Sequence, residues 1–368
     1  MKLQPNPYSA AALKWLEEIL SERYGFAVQL ESRESKVSLG VIGLSGEIFV
    51  HSDAEVFSAA NSTIPFSFWD AGQEGFISVL GSPLPAPGRA EGDGDLASDS
   101  DGVVSVNYDI LGLTYWMLSR QEEVGRNDLD DHGRFPASSS HANKYGYLDR
   151  PVVDEWLEIL KQIMLRVWPG LQFKAHQFSM QVSHDVDSAA RYGFLSLGKG
   201  LLRSLIDVLK KRDIRILSLA IKSWRSVNKH QHIYKNDIGN NFSWIMAESE
   251  RLGLKSAFYF ICGRTNPTKD ALYEVTHPAI RSLIRQVHQR GHEVGLHPSF
   301  DSYLSAPEIE GEALALKRVC KEEGVEQESW GGRMHYLRLR IPETLRHWET
   351  SKMNYDSTLG YSERPGFR

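Results

Sequence analysis

The sequence has little cysteine, no long apolar run and no excess of basic charge, and each shortage argues against a class of protein. Cys262 and Cys320 are its two cysteines, too few for a disulfide framework, so a reducing compartment is expected. No run of about 18 or more apolar residues is present to span a bilayer. Because the N-terminal residues lack the apolar core of a signal peptide, the sequence predicts a cytoplasmic protein with no membrane span.

The charge balance argues against nonspecific nucleic-acid binding. The 42 Lys and Arg residues are outnumbered by 47 Asp and Glu, for a formal charge of −5, whereas phosphate neutralisation needs a basic surface. Local basic clusters such as residues 210–212 are interpreted as a solvated helix face. With 368 residues, the chain is long enough for two domains, each with its own core.

The pattern of the first half indicates a small α+β domain, here given as residues 1–172. Apolar residues at helical spacing predict a helix over 9–24. Two strands are expected at 37–42 and 47–50, on either side of a turn. The segment 81–102 is rich in Gly, Pro and Asp, and we expect a mobile loop there because it has little apolar surface to bury.

From residue 173 to 368 predicted strands alternate with predicted helices, a pattern typical of an α/β layer or barrel with a parallel sheet. Residues 189–228 read as a helical stretch that is longer than a strand crossover requires. We interpret that stretch as a lid or a flanking insertion. The predicted fold class is therefore α/β for this half, preceded by the smaller α+β domain.

Two aspartates follow the first strand of this half, in the run SHDVD at residues 183–187. Side chains two apart on a strand point to the same face, so Asp185 and Asp187 would lie side by side. Two such carboxylates repel unless a cation lies between them, one is protonated, or water screens both. A solvated turn is the simpler alternative, since aspartate is common in turns.

Further polar side chains end the following strands, which weakens the turn interpretation. Titratable residues end at least four predicted strands: Asp185 and Asp187, His297, Arg333 and His335, and Asp356. The carboxyl ends of parallel strands form the edge where active sites lie. A carboxylate with one or two histidines can hold zinc. Asp187 could then bind metal while Asp185 acts as general base, kept ionised by Arg333.

At these residues the sequence resembles the polysaccharide deacetylases of the NodB-homology type, carbohydrate esterase family 4. The resemblance rests on four motifs in order: SHDVD at 183–187, GHEVGLHP at 291–298, RMHY at 333–336 and YDST at 355–358. It covers roughly residues 173–368. It implies a deformed (β/α) barrel and a hydrolase that removes acetyl groups from an N-acetylated sugar or polysaccharide, with one divalent metal ion, zinc by expectation.

The resemblance also implies roles for single residues. Asp185 would be the catalytic base with Arg333 beside it, and Asp187 and His297 would bind the metal. Tyr336 and Asp356, which lie in the third and fourth motifs, would contact the carbohydrate.

This sequence departs from the family pattern at the third metal ligand. The family's second metal histidine lies four residues after the first, and Asp301 occupies that position here. His335 stands where the family usually has proline, and is the rival ligand. Both residues remain open at this stage.

A second departure concerns the general acid. Family members continue into a Leu-x-His motif that supplies it, so a truncated barrel without its acid is expected here. His184 is the nearest substitute, but it should point to the opposite face of its strand. One alternative is therefore an inactive or remodelled homologue that binds polysaccharide or a protein partner; another is a hydrolase of a different linear amide.

The first half carries a resemblance of its own. Its motifs are YDILG at 108–112, LSRQEE at 118–123, DHGRFP at 131–136 and DRPVVD at 149–154. They resemble the uncharacterised domain that precedes such deacetylases in some bacterial surface-polysaccharide proteins. This likeness implies a neighbour but no activity.

Overall fold

A computed structural model describes residues 8–100 and 103–368. These residues form two compact units. The first contains the described residues up to Asp131, Phe135–Gln177 and Gly360–Arg368; the second contains His132–Arg134 and Phe178–Leu359. The division therefore falls after Gln177 rather than at residue 172, and residues 360–368, expected in the second domain, belong to the first unit.

The first unit combines mostly antiparallel strands with helices. Its elements are α1 (Ala10–Tyr24), β1 (Val28–Arg33), β2 (Lys36–Val41), β3 (Ile48–His51), α2 (Ala54–Phe57), β4 (Phe66–Trp69), β5 (Leu84–Pro87), β6 (Ala97–Ser100), β7 (Val103–Val106), α3 (Ile110–Leu118), α4 (His141–Lys144) and α5 (Val152–Val167). Its main sheet has the order β1-β2-β3-β7-β6, in which the pair β3 and β7 is parallel, and β4 pairs with β5. The helix α1 begins after Ser9, whose hydroxyl accepts a hydrogen bond from Ala12 N, and it buries its apolar face.

The prediction of a mobile loop over residues 81–102 is wrong for two segments of that range. The strand β5 is fully buried and pairs antiparallel with β4, and β6 pairs antiparallel with β7. Trp156 Nε1 donates to the carbonyl of Pro85 at 2.8 Å, and the Tyr108 hydroxyl donates to that of Pro87 at 2.7 Å. The composition gave no sign of this, because the donors that stabilise the strand are distant in sequence.

The second unit is built on a parallel sheet. Its elements are β8 (Val182–Val186), α6 (Leu197–Lys211), α7 (Arg215–His230), α8 (Phe242–Arg251), β9 (Ser256–Phe260), α9 (Pro278–Gln289), β10 (Glu293–Leu296), α10 (Ala306–Glu322), β11 (Gly331–Gly332), α11 (Glu343–Thr350) and β12 (Tyr355–Asp356). The strand order is β12-β11-β10-β9-β8, and each neighbouring pair is parallel. This unit is therefore α/β.

The parallel sheet brings side chains of strands that are not neighbours together on one face. In a flat sheet, strands separated by two others lie roughly 14 Å apart, and side chains stand perpendicular to the sheet. Even so, the hydroxyls of Tyr259 on β9 and Tyr355 on β12 are 3.3 Å apart. Glycine makes room for these rings, since a Cβ at Gly295 would lie 2.5 Å from the Tyr259 ring. Side chains on this face therefore converge over the glycines of the middle strands, while closure into a full (β/α) barrel stays a prediction.

The described helices were also compared with the dimensions of a lipid bilayer. Within residues 8–100 and 103–368, none is both long and apolar enough to cross a membrane.

Candidate metal centre

Three side chains from separate loops meet at the carboxyl edge of the parallel sheet. Asp187 directly follows β8, and His297 directly follows β10. His335 begins a short 3₁₀ turn after β11. One ligand atom from each residue lies within 4.8 Å of the other two. The strand topology alone thus brings together residues that are up to 148 positions apart in sequence.

The distances within this cluster are those of direct contact. Asp187 Oδ1 lies 3.2 Å from His297 Nε2 and 3.4 Å from His335 Nδ1. The two imidazole nitrogens are 2.9 Å apart. Both histidines are buried, at 1% and 3% exposure, whereas the Asp187 side chain is largely exposed. The three possible metal-ligand atoms thus face one small space, which is open to solvent on the Asp187 side.

Second contacts of the histidines determine which ring nitrogens carry protons. His297 Nδ1 lies 2.5 Å from the Arg333 carbonyl oxygen, and His335 Nε2 lies 3.1 Å from that of Lys269. A carbonyl oxygen only accepts, so in each neutral ring the nitrogen facing it bears the hydrogen. His297 Nε2 and His335 Nδ1 therefore both present lone pairs to each other and to a carboxylate oxygen. Three such acceptors repel unless a cation or an additional proton lies among them.

The environment disfavours the extra proton. Burial and the neighbouring His297 lower the pKa of His335 below its usual value. Desolvation raises the pKa of Asp187, but its interactions with His297 and His335 together lower it by more, and the net pKa is lowered. A neutral His335 and an ionised Asp187 are thus favoured. Two imidazoles and one carboxylate are a donor set suited to zinc, and each imidazole here is oriented by a backbone carbonyl, as metal-bound histidines usually are.

Asp185 lies beside the cluster and is held by Arg333. Its Oδ2 is 3.9 Å from His297 Nε2, while its Oδ1 accepts a hydrogen bond from Arg333 Nη1 at 3.1 Å. Arg333 is fixed in turn by Ser183 Oγ at 2.8 Å and the Ser357 carbonyl at 3.1 Å. The Asp185 carboxylate therefore has one oxygen on the arginine and the other turned towards the cluster.

Of the two rivals for third ligand, the structure brings His335 to the cluster and leaves Asp301 outside it. Asp301 Oδ1 accepts from Arg338 Nη1 at 2.8 Å, and Oδ2 accepts from Asn266 Nδ2 at 3.2 Å. Both carboxylate oxygens thus already have donors. Arg338 is itself positioned between the rings of Phe300 and Tyr303, at 4.1 and 4.0 Å from their centroids.

Tyr336 lies directly beside the cluster. Its ring centroid is 4.7 Å from that of His335 and 5.1 Å from that of Phe300. The ring of His132 completes this aromatic border at 5.0 Å from Tyr336. Tyr336 has φ of +59°, a left-handed conformation that is rare for residues with a Cβ. This turn lets His335 and Tyr336 face the same space.

Asp356 lies apart from the three donors. Its carboxylate accepts from the backbone and hydroxyl of Thr358, at 2.9 and 2.5 Å. It lines a cavity of about 390 Å³ together with Arg333, Tyr259 and Tyr355. Asp356 thus shares this cavity with Arg333, which also binds Asp185.

Two other histidines near the motifs have structural contacts. His184 Nε2 lies 3.4 Å from Ser256 Oγ, and its ring packs on Phe258. Burial lowers the pKa of His184. His292 is 3% exposed, and its Nδ1 accepts from Ser256 N at 3.2 Å. Both rings thus pack around the β9 strand.

Sequence reasoning missed the residues that support the His297 loop. Glu312 on α10 is 4% exposed and accepts from Ser299 N and Ser299 Oγ. Asp270 accepts from Phe300 N at 2.7 Å and from Asn266 N at 2.6 Å. No sequence signal marks either carboxylate, because each acts only through a distant partner that the fold brings near.

Comparison with known proteins informs the first unit only. A family of unknown function, DUF7033, matches residues 10–169. Neither curated proteins nor solved structures give a match. The matched residues lie before β8, so the site at the edge of the parallel sheet is outside them, and the match assigns it no chemistry.

Proposed function

We propose that the second unit is a metal-dependent hydrolase that removes acetyl groups from an N-acetylated sugar or polysaccharide. The observation that carries the proposal is the arrangement of His297 Nε2, His335 Nδ1 and Asp187 Oδ1, three mutually facing acceptors within hydrogen-bonding distance. A divalent cation, zinc by preference, satisfies all three at once. The motif resemblance and the position at the carboxyl edge of a parallel sheet support the same conclusion.

A metal ion bound here would supply a Lewis acid for the amide carbonyl and make water nucleophilic at neutral pH. The chain itself supplies the base. Asp185 is placed to accept a proton from water next to the donor cluster, since its Oδ2 is directed there. Arg333 fixes that carboxylate in position through its 3.1 Å hydrogen bond.

The surroundings of the cluster support a ring-shaped, polar substrate. Tyr336, Phe300 and His132 present aromatic surface next to His335, and such surfaces can pack against the apolar face of a sugar while their polar groups contact hydroxyls. Lys269 extends over the Tyr336 ring at 5.1 Å. We therefore propose that the acetylated sugar binds over these rings with its acetamide directed at Asp185.

Metal content of the purified protein tests the first part of this proposal. We expect about one zinc per chain by plasma mass spectrometry after zinc is supplied and excess removed. His297→Gln, His335→Gln and Asp187→Asn should each lose it. Asp301→Asn is the matched control, because this carboxylate is close in sequence to His297 but bonded to Arg338. A metal-free parent, or loss of metal in the Asp301 variant alone, would overturn the assignment of ligands.

Acetate release tests the second part. The zinc-loaded protein should release acetate from N-acetylglucosamine oligomers, and Asp185→Asn should not, although it keeps its metal. Release from a simple linear acetamide but not from the oligomers would assign the site to another amide. Metal binding without acetate release from either, together with retention of the oligomers, would assign it to the binding homologue.

A further inference from the structure

The helical hairpin formed by α6 and α7 faces the rest of the second unit with small and polar side chains. On α6 the buried residues are Gly200, Ser204 and Asp207. On α7, Ser223 and Ser226 are buried together with Ile216, Ala220 and Val227. A helix packed on a globular domain normally turns its large apolar residues inward. The inner face of α6 lacks such residues among those that are buried.

The large apolar residues of α6 are on its outer face instead. Leu202, Leu205, Ile206 and Leu209 follow the helical spacing of a single stripe. Leu202 is 61% exposed and Leu209 is 79% exposed. Ile214, between α6 and α7, is 69% exposed as well. An exposed apolar stripe of this length indicates a surface that binds another protein or a membrane.

Buried polar contacts fix α6 in this orientation. Asp207 accepts two hydrogen bonds from Arg191, both at 2.6 Å, and one from the Tyr192 hydroxyl at 2.7 Å. Asp237 accepts from Arg191 N at 2.6 Å and also from the hydroxyl of Ser223 on α7. Turning the leucines inward would break this network and leave a buried carboxylate without its partner, at a large cost in stability.

The charge of the hairpin is opposite to that of the chain. Residues 197–230 contain nine Lys or Arg and two Asp, a net of +7, whereas the whole chain carries −5. All nine basic side chains are exposed, and both aspartates are paired, Asp207 with Arg191 and Asp213 with Arg215. The exposed apolar stripe is thus flanked by basic groups rather than by mixed charge.

We propose that this hairpin docks the protein on the surface of an anionic lipid bilayer. Exposed leucines and isoleucines would enter the boundary between headgroups and acyl chains, while the basic side chains bind the anionic headgroups. A second copy of the hairpin fits less well, because it would bring two faces of net +7 together. The inference is independent of the hydrolase proposal and concerns attachment to one face of the bilayer, not a span.

Sedimentation with lipid vesicles tests the proposal on the full chain. The parent should partition onto vesicles of phosphatidylcholine and phosphatidylglycerol in equal parts, and far less onto phosphatidylcholine alone. Leu202→Ser and Leu209→Ser should each lower partitioning about tenfold or more. Leu314→Ser is the matched control, since Leu314 lies on α10 and is also 61% exposed; it should change nothing.

A charge variant tests independently whether the basic side chains bind the anionic headgroups. Lys210→Glu combined with Lys211→Glu should also lower partitioning about tenfold or more, and added salt should weaken binding of the parent. Circular dichroism melts verify that every variant is folded. The proposal is overturned if the parent ignores anionic vesicles, or if the hairpin variants bind as well as the parent. It is also overturned if light scattering shows a dimer that the leucine variants dissociate, which would assign the face to a second copy.

Discussion

Apolar side chains are normally buried and polar ones exposed, and two regions of the second unit depart from this pattern in opposite directions. At the edge of the parallel sheet, His297 and His335 are buried with their lone pairs facing Asp187. On α6, large apolar side chains such as Leu209 are exposed while Asp207 is buried. A cation would satisfy the first region, and an apolar phase would satisfy the second. The first region would thus be completed by a bound cation and the second by an apolar surface. The following predictions test this difference between the two regions.

The largest effect is expected from removing the base that we propose, Asp185, while leaving the three proposed metal ligands intact. Asp185→Asn should lower deacetylation by about 10²–10⁴-fold, because the proton acceptor is lost, without changing metal content. Steady-state acetate release and metal analysis on one preparation measure both. If metal is lost together with activity, Asp185 would be a ligand rather than a base.

The next effect concerns Glu312, which supports the loop that carries His297. Burial raises the pKa of its carboxyl from 4.5 to about 7, so the folded state holds a proton that the unfolded state releases between these values. The contribution of Glu312 to the free energy of unfolding is fully present below pH 4.5 and is lost as pH rises through 7. The total loss is about 3 kcal/mol. Glu312→Gln should therefore remove that part of the pH dependence.

Urea unfolding at pH 5 and pH 8, in the presence of a chelator, measures the Glu312 effect. Glu310→Gln is the control, since Glu310 is exposed on the same helix. An identical pH dependence in the parent and the Glu312 variant would contradict the prediction.

Zinc should stabilise the fold by an amount similar to, or slightly below, the Glu312 effect. A hundredfold excess over the dissociation constant raises the free energy of unfolding by about 2.7 kcal/mol if only the folded state binds. His335→Gln should abolish this increase, and Leu209→Ser should preserve it. Thermal melts with and without zinc measure it; an equal increase in the His335 variant would place the ion elsewhere.

The smallest effect is expected on the hairpin. Leu209→Ala should change the free energy of unfolding by no more than about 0.5 kcal/mol, because its side chain is 79% exposed. The same substitution at Leu316, fully buried on α10, should cost about 2–5 kcal/mol. Denaturant titration of both variants decides the point. A large loss at Leu209 would mean that the leucine packs inside the fold in solution.

The sequence by itself determined the parts that depend on local pattern. Helical periodicity predicted α1, and the pattern of strands placed SHDVD at 183–187 and the histidine of GHEVGLHP at 291–298 at the ends of strands. These features are local because side-chain alternation and helix spacing repeat within a few residues. The basic residues of the hairpin were also visible, although they were interpreted only as a solvated face.

Only the tertiary structure showed that His335 rather than Asp301 lies beside Asp187 and His297, because their positions depend on Arg338 and on the Lys269 carbonyl, which the fold brings near. It also decided that the leucines of α6 face outward, since the network around Asp207 fixes the rotation of the helix. An amphipathic sequence specifies two faces but not which of them is buried. That depends on partners from distant elements, which no local pattern contains.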